Sequence, residues 1–246
     1  MNKTVLITGA SSGIGAALAR ELAARGYSLG LLARRSELLE TLANELRQQA
    51  GIRVETATLD VCDQASVPQV ISELGQRLGG FDIMVANAGI TGARKSGDGD
   101  LDADRRIIET NLLGAIATID AAVAHFKQQG HGHVVGVSSV SAYRGIPGSG
   151  AYSASKAALT NYLDALRMEL LKRKIKVTVI HPGFVATDIA PGMEKYPFVA
   201  APEKVAREMV QAIERGVSNA IVPRFPWAGV LPVLKYVPDS LMRKLF

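Results

Sequence analysis

KTVLITGASSGIGAALARELAARG, residues 3–26, decides the architecture of this chain. Its first six residues are a short β-branched, apolar run. A Gly/Ser turn, Thr8–Gly15, follows. Then Ile14, Leu18 and Leu22 recur at helical spacing, and Gly26 is a good stop. A strand that runs through a glycine turn straight into a helix is the opening of a βαβ unit.

The same alternation continues outward. YSLGLLA, RVETATLDV, FDIMVANAG, GHVVGVSS, KVTVIHPG and AIVP read as further strands. Between them, residues 36–50 (Ser36 as N-cap), 64–78 (Pro68 in the first turn), 101–129, 152–174 and 202–215 read as helices. Strands that are apolar on both faces and separated by helices predict a parallel sheet covered on both sides. The expected fold is therefore α/β: one doubly wound Rossmann domain over residues 1–246, with a central parallel sheet of about seven strands. In such sheets ligands sit beyond the C-terminal strand ends, so the useful residues are expected just after strands.

Composition bounds the function. The 246 residues are 48% apolar and 21% charged, which allows a large core. The net charge of +5 is mildly basic, and its densest run, KRKIK at 172–176, reads as the cationic end of a helix rather than a nucleic-acid stripe. A single cysteine, Cys62, makes no internal disulfide and reads as structural, which fits a reducing cytoplasm. MNKTVLITGA is a poor signal peptide. No run of about 18 apolar residues occurs, so no spanning helix is expected.

The glycines of the first turn are Gly9, Gly13 and Gly15, spaced G-x-x-x-G-x-G. Glycine there lets the backbone approach a pyrophosphate, and the helix N-terminus offers N–H groups and a positive dipole. Position and composition together favour dinucleotide binding over a bare tight turn. The second strand ends LLARRSE: Ala33 stands where an NAD site carries a carboxylate, and Arg34 and Arg35 follow. Two guanidiniums suit the extra phosphate of NADP, so NADP(H) is expected over NAD(H).

YSASK, residues 152–156, places Tyr152 and Lys156 four apart, on one helix face. A free phenol titrates near 10, and a nearby cation is expected to lower that toward the working range. Tyr152 would then donate a proton to a carbonyl oxygen, or take one from an alcohol. Ser139 ends the fifth strand, and the Gly-rich loop after it can fold back toward Tyr152. Asn111 lies in a helix interior, where Asn is a weak former.

TGASSGIG, ANAG at 86–89, Asn111, the serine pair 138–139, YSASK and PGFVAT at 182–187 resemble, in order and spacing, the short-chain dehydrogenase/reductase family. The likeness covers nearly all of the chain to about residue 220. One departure is Ala86 where the family often has Asn, so only Asn87 carries over. The resemblance implies Tyr152 as acid/base, Lys156 as its tuner and ribose contact, and Ser139 (rather than Ser138) as holder of the reacting oxygen. It places Asn111 in a water-linked relay to the lysine. It implies that Gly9, Ser11, Ser12, Gly13, Ile14 and Gly15 cradle the cofactor. Asp60 and Val61 would lie by the adenine, Asn87, Ala88 and Gly89 along the ribose side, and Pro182, Gly183, Val185 and Thr187 at the nicotinamide end. It also implies a homodimer or homotetramer with the Tyr152 helix in the interface.

The expected activity is an NADPH-dependent reductase of a small-molecule carbonyl, reversible on the alcohol. The rival is a non-catalytic NADP(H)-binding sensor or scaffold on the same fold. Nucleic-acid binding has only the net charge behind it, and no nucleic-acid partner is expected. His131 and His133 form an H-x-H with no third ligand and read as a loop, and no metal is expected. His181 reads as packed or locally bonded. Residues 188–201, with Met193, Tyr196, Pro197 and Phe198, are the expected substrate lid. The apolar tail, 224–246, has three readings: cover for the pocket, packing between subunits, or a membrane interface. The first two are favoured.

Overall fold

The structure, a computed structural model, describes residues 3–48, 52–92, 94–95, 97–187, 198–234 and 236–245. Most of the expected lid, including Met193, Tyr196 and Pro197, lies outside the described residues. In chain order the elements are β1 (Thr4–Thr8), α1 (Gly13–Ala24), β2 (Ser28–Ala33), α2 (Ser36–Arg47), β3 (Val54–Thr58), α3 (Val67–Leu78) and β4 (Ile83–Ala86). Then come α4 (Leu101–Ile108), a π-helical turn (Glu109–Leu113), α5 (Gly114–Gln129), β5 (His131–Val137), a 3-10 turn (Val140–Ala142) and α6 (Gly150–Glu169). The chain finishes with β6 (Lys174–Pro182), α7 (Pro202–Arg215), β7 (Asn219–Val222), α8 (Arg224–Leu234) and α9 (Asp239–Leu245).

The seven strands form one sheet in the order β3-β2-β1-β4-β5-β6-β7, and every pairing is parallel. Alternation along β1 divides the core. Val5 and Ile7 point to one face with Leu18, Leu22, Leu39, Met209 and Ile213, while Leu6 points to the other with Ile71, Leu74, Phe126, Leu159 and Leu163. The inner strands β1, β2 and β4 are thus buried on both faces, as their unbroken apolar runs require, while the edge strands β3 and β7 are only partly covered. β1 pairs with β2 on one side and β4 on the other. The chain's winding reverses there, so a crevice opens beyond the strand ends.

Several local readings need correction. Ser36 is the first residue of α2, not its cap; Arg35 holds the cap position and no side chain bonds there. KRKIK does not end a helix: α6 stops at Glu169, and Lys174 and Lys176 alternate outward around buried Ile175 at the start of β6. His131 and His133 open β5 rather than a loop. His133 is buried against the Thr178 hydroxyl at 2.8 Å, and burial, with Lys176 and Lys3 nearby, lowers its pKa to about 4. His181 is buried and bonds locally, to the Ser139 carbonyl and the Asn219 side chain. By length and mean hydropathy (1.5) the helical run Leu101–Gln129 would pass for a membrane span, contrary to expectation. Its apolar side is taken up by the core, where Ala115, Ile119, Ala122, Val123 and Phe126 are buried.

Candidate active site

Beyond the ends of β1, β2, β4, β5 and β6 lies one continuous cavity of about 500 Å³. The first turn forms its floor. Gly9 has φ +68°, and a Cβ there would stand 2.8 Å from Ala88 Cα. A Cβ on Gly15 would fall 2.2 Å from the Gly9 carbonyl oxygen. These two positions admit only glycine, which brings the backbone and the start of α1 to the cavity surface. Thr8 stitches this turn to the one after β4: its hydroxyl accepts from the Asn87 and Ala88 N–H groups at 3.1 and 3.2 Å. The Asn87 amide donates in return to the carbonyls of Thr8 and Gly9.

At the β2 end, Ala33 is buried and presents no carboxylate, and Arg34 and Arg35 reach out beside it. Arg35 Nη2 donates to the hydroxyls of Ser11 and Ser12 at 3.1 and 2.5 Å, which holds its guanidinium over the glycine turn. Arg34 Nη1 lies 3.9 Å from Asp60 Oδ2, a loose pair with both side chains largely exposed. Asp60 Oδ1 accepts from the Cys62 N–H at 3.0 Å and so shapes the turn after β3. Val61 is buried against Gly114, where a Cβ would come within 2.7 Å of it.

The polar centre gathers Ser139, Tyr152 and Lys156 on one wall. Ser139 lies at the mouth of the 3-10 turn, where its Oγ accepts from the Ser141 N–H at 3.1 Å. Lys156 is buried, its Nζ 5.9 Å from the centre of the Tyr152 ring and donating to the Val137 carbonyl at 2.9 Å. Burial lowers its pKa to about 8. The Tyr152 phenol departs from expectation. Burial pushes its pKa up, and the bond with the Ser139 hydroxyl draws it only part of the way back, so desolvation wins. The protein alone therefore keeps Tyr152 protonated. Ser138 turns away, donating to the Lys156 carbonyl and pairing with Thr160 at 2.8 Å.

Two expected residues do not reach the cavity surface. Gly13 lies behind it, with Thr187 against the place of its Cβ. Asn111 is fully buried in the π turn. Its Oδ1 accepts from the Ile90 N–H at 2.8 Å, and its Nδ2 donates to the Ile90 carbonyl at 2.9 Å and the Ser155 hydroxyl at 3.2 Å. Asn111 thus fastens the strand-end loop carrying Gly89 and Ile90. All the other expected catalytic and cofactor residues line the cavity: the turn residues Gly9, Ser11, Ser12, Ile14 and Gly15, the pairs Arg34–Arg35 and Asp60–Val61, Asn87 to Gly89, and Pro182, Gly183, Val185 and Thr187. Phe198 of the expected lid is exposed and is not part of the cavity wall.

Ser141, Ile146, Ser149 and Phe184 also line the cavity, and the sequence reading passed over them. All but Phe184 follow Ser139 in the loop before Tyr152, whose glycines were the one available signal. Trp227 and Leu231 of α8 pack behind Phe184 and Val140, so this part of the tail backs one wall of the site.

The cradle fits a dinucleotide. Its volume is in the range of cofactor sites, about 300–1,000 Å³. Glycine backbone and a helix N-terminus face one stretch of it, guanidiniums one end and hydroxyls the other. Comparison with known proteins agrees. Residues 3–196 match the short chain dehydrogenase family model. An uncharacterized oxidoreductase of Mycobacterium tuberculosis is 40% identical over 242 residues, covering 98% of this chain and 96% of that protein. A solved alcohol dehydrogenase from Thermococcus sibiricus, complexed with 5-hydroxy-NADP, superposes with a TM-score of 0.82 at 31% identity, over 90% of this chain and 96% of that one. A Burkholderia phymatum short-chain dehydrogenase/reductase in complex with NAD shares the fold, with a TM-score of 0.84 at 22% identity, over 93% and 92% of the two chains. The chain belongs to the short-chain dehydrogenase/reductase family, oxidoreductases built on a nicotinamide-cofactor fold.

Proposed function

We propose that this protein is an NADPH-dependent carbonyl reductase, reversible as an alcohol dehydrogenase, acting on an apolar ketone, aldehyde or 3-oxoacyl substrate. The observation that carries the reading is the convergence of Ser139, Tyr152 and Lys156 on one cavity whose other end has two arginines and no carboxylate at the end of β2. When bound, the nicotinamide supplies or accepts the hydride.

The chain's own residues do the rest. Ser11, Ser12 and the start of α1 hold the pyrophosphate with N–H and hydroxyl groups. Arg34 and Arg35 hold the extra phosphate. Ser139 donates to the substrate oxygen and orients it. Tyr152, kept protonated, gives its proton to that oxygen as charge develops there. Lys156 then stabilises the phenolate; its cation gains most at that moment, because both groups are desolvated. Asn111 acts as a positioning residue, fixing Ile90 at the edge of the site. Phe184, Ile146 and the packed tail give the apolar lining that favours a hydrophobic substrate.

The test is NADPH oxidation against a panel of aldehydes, ketones and 3-oxoacyl esters, with NADH in parallel. Turnover is expected on some members, weaker with NADH. Tyr152→Phe is expected to keep the NADPH Kd and lose about 10²–10⁴ of the rate. Tight NADPH binding without turnover on any member would replace the reductase reading by the sensor.

A further inference from the structure

We propose that Arg144 fastens the C-terminal segment across the substrate end of the cavity, and that the wall so held, Trp227 and Leu231, sets the size of the apolar group a substrate carries beside its carbonyl. The wall's role rests on the reductase reading; the fastening does not.

Arg144 stands in the loop between Ser139 and Tyr152. Its Nη1 donates to the carbonyls of Leu234, at 2.7 Å, and Val237. Its Nη2 lies 2.6 Å from Asp239 Oδ1. Leu234 ends α8 and Asp239 begins α9. One guanidinium therefore grips the carbonyl at the end of α8 and one in the turn after it, and ties the next helix beside them. Asp239 is fully exposed, so the ion pair adds little and the carbonyls are the anchor. The planar fork of arginine reaches several acceptors at once, which an ammonium does not.

Beneath this clamp, Val140, Phe184, Trp227 and Leu231 form a buried cluster separate from the two sheet cores. A second cavity of about 10 Å³ lies among Tyr143, Ile146, Phe184, Trp227 and Leu231. Ile146 and Phe184 line both cavities. The small void thus lies next to the large one, with these two side chains between them. It is about the size of one water probe, so a chain pushed between Ile146 and Phe184 stops against Trp227 and Leu231. The indole is itself braced on the site: a Cβ on Gly183 would come within 2.0 Å of Trp227 Nε1. The loop that carries Arg144 is also tied across the mouth, where the Arg94 N–H donates to the Gly148 carbonyl at 2.8 Å. Tail position and cavity shape are therefore mechanically one.

Trp227 is the only tryptophan, so its emission reports the tail directly. In full-length Arg144→Met, emission is expected to move to longer wavelength, while the NADPH Kd by calorimetry stays within about twofold. KM for the best apolar ketone is expected to rise about tenfold with kcat within about twofold, the split for lost uniform binding. Arg144→Lys should fall between. Leu231→Ala, which opens the void, should shift kcat/KM by about tenfold toward ketones one or two carbons longer. Unchanged emission in Arg144→Met overturns the clamp. Unchanged size preference in Leu231→Ala, with the wild type active, overturns the wall. A wild type inactive on every carbonyl, with the emission shift still present in Arg144→Met, overturns the reductase reading and the wall and supports the clamp.

Discussion

Replacing Arg34 and Arg35 by alanine, singly and together, isolates the choice of cofactor. Neither change should harm the fold. Arg34 is largely exposed and its pair with Asp60 is 3.9 Å long, so its loss costs almost no stability. The Arg35 side chain bonds the Ser11 and Ser12 hydroxyls on an exposed surface, and its backbone bond to Leu39 does not depend on the side chain. The effect should fall on binding instead. A hydrogen bond to a charged group contributes about 1.5–3 kcal/mol net, and exposure argues for the low end. About 1.5 kcal/mol is roughly tenfold in Kd for each arginine. Both would grip one phosphate, so the double variant should lose less than the product, on the order of 50-fold. NADH lacks that phosphate, and its Kd should stay within about twofold. The assay is titration calorimetry of NADPH and NADH with all three variants at two salt concentrations. The NADPH losses should shrink as salt rises, because exposed charges are screened. A double variant that binds NADPH as tightly as the wild type, or loses NADH equally, would refute the phosphate clamp.

Asn111→Ala should destabilise the protein by about 1–3 kcal/mol, because it leaves the half-buried Ile90 N–H and carbonyl without their partner; thermal melting checks this. Gly15→Ala should abolish binding of both dinucleotides in calorimetry, since its Cβ would collide with the Gly9 carbonyl. Lys156 loses its proton near pH 8, so kcat/KM for carbonyl reduction should fall as pH rises past about 8, and Lys156→Met should lack that limb. His133 has a folded pKa of about 4 against 6.5 unfolded, so the unfolded chain binds the extra proton between those values. Stability is full above pH 6.5 and should drop by on the order of 3 kcal/mol as pH falls toward 4. Denaturant melts of His133→Gln should show a flatter acid limb.

The fold was legible because strand-helix alternation is written in local periodicity, and the glycine turn fixes where the first crevice lies. Boundaries were blurred where local pattern and tertiary pairing disagree. Lys174 and Lys176 look like a helix end, but pairing with β5 recruits them into β6. The Ser-Tyr-Lys set was legible because its chemistry requires fixed spacing and its place follows strand ends. The direction of the Tyr152 shift was not, since it depends on how much protein surrounds the ring. Asn111 read alone only as a weak helix former; the returning loop at Ile90 explains its burial. Arg144 left no signal, because its acceptors are backbone carbonyls about ninety residues away.

The π turn at Glu109–Leu113 bears on how this chain tolerates insertions and deletions. Such a turn is an α-helix holding one supernumerary residue. Deleting one of the five would regularise the helix and leave α4 and α5 facing nearly as they do now, because the widened turn already absorbs the extra residue. What would change is the turn itself, which sets Asn111 against Ile90. A one-residue deletion there should therefore spare the helix packing and loosen the strand-end loop that Asn111 holds, whereas a deletion elsewhere in α4 or α5 would turn one flank by about 100° against the other.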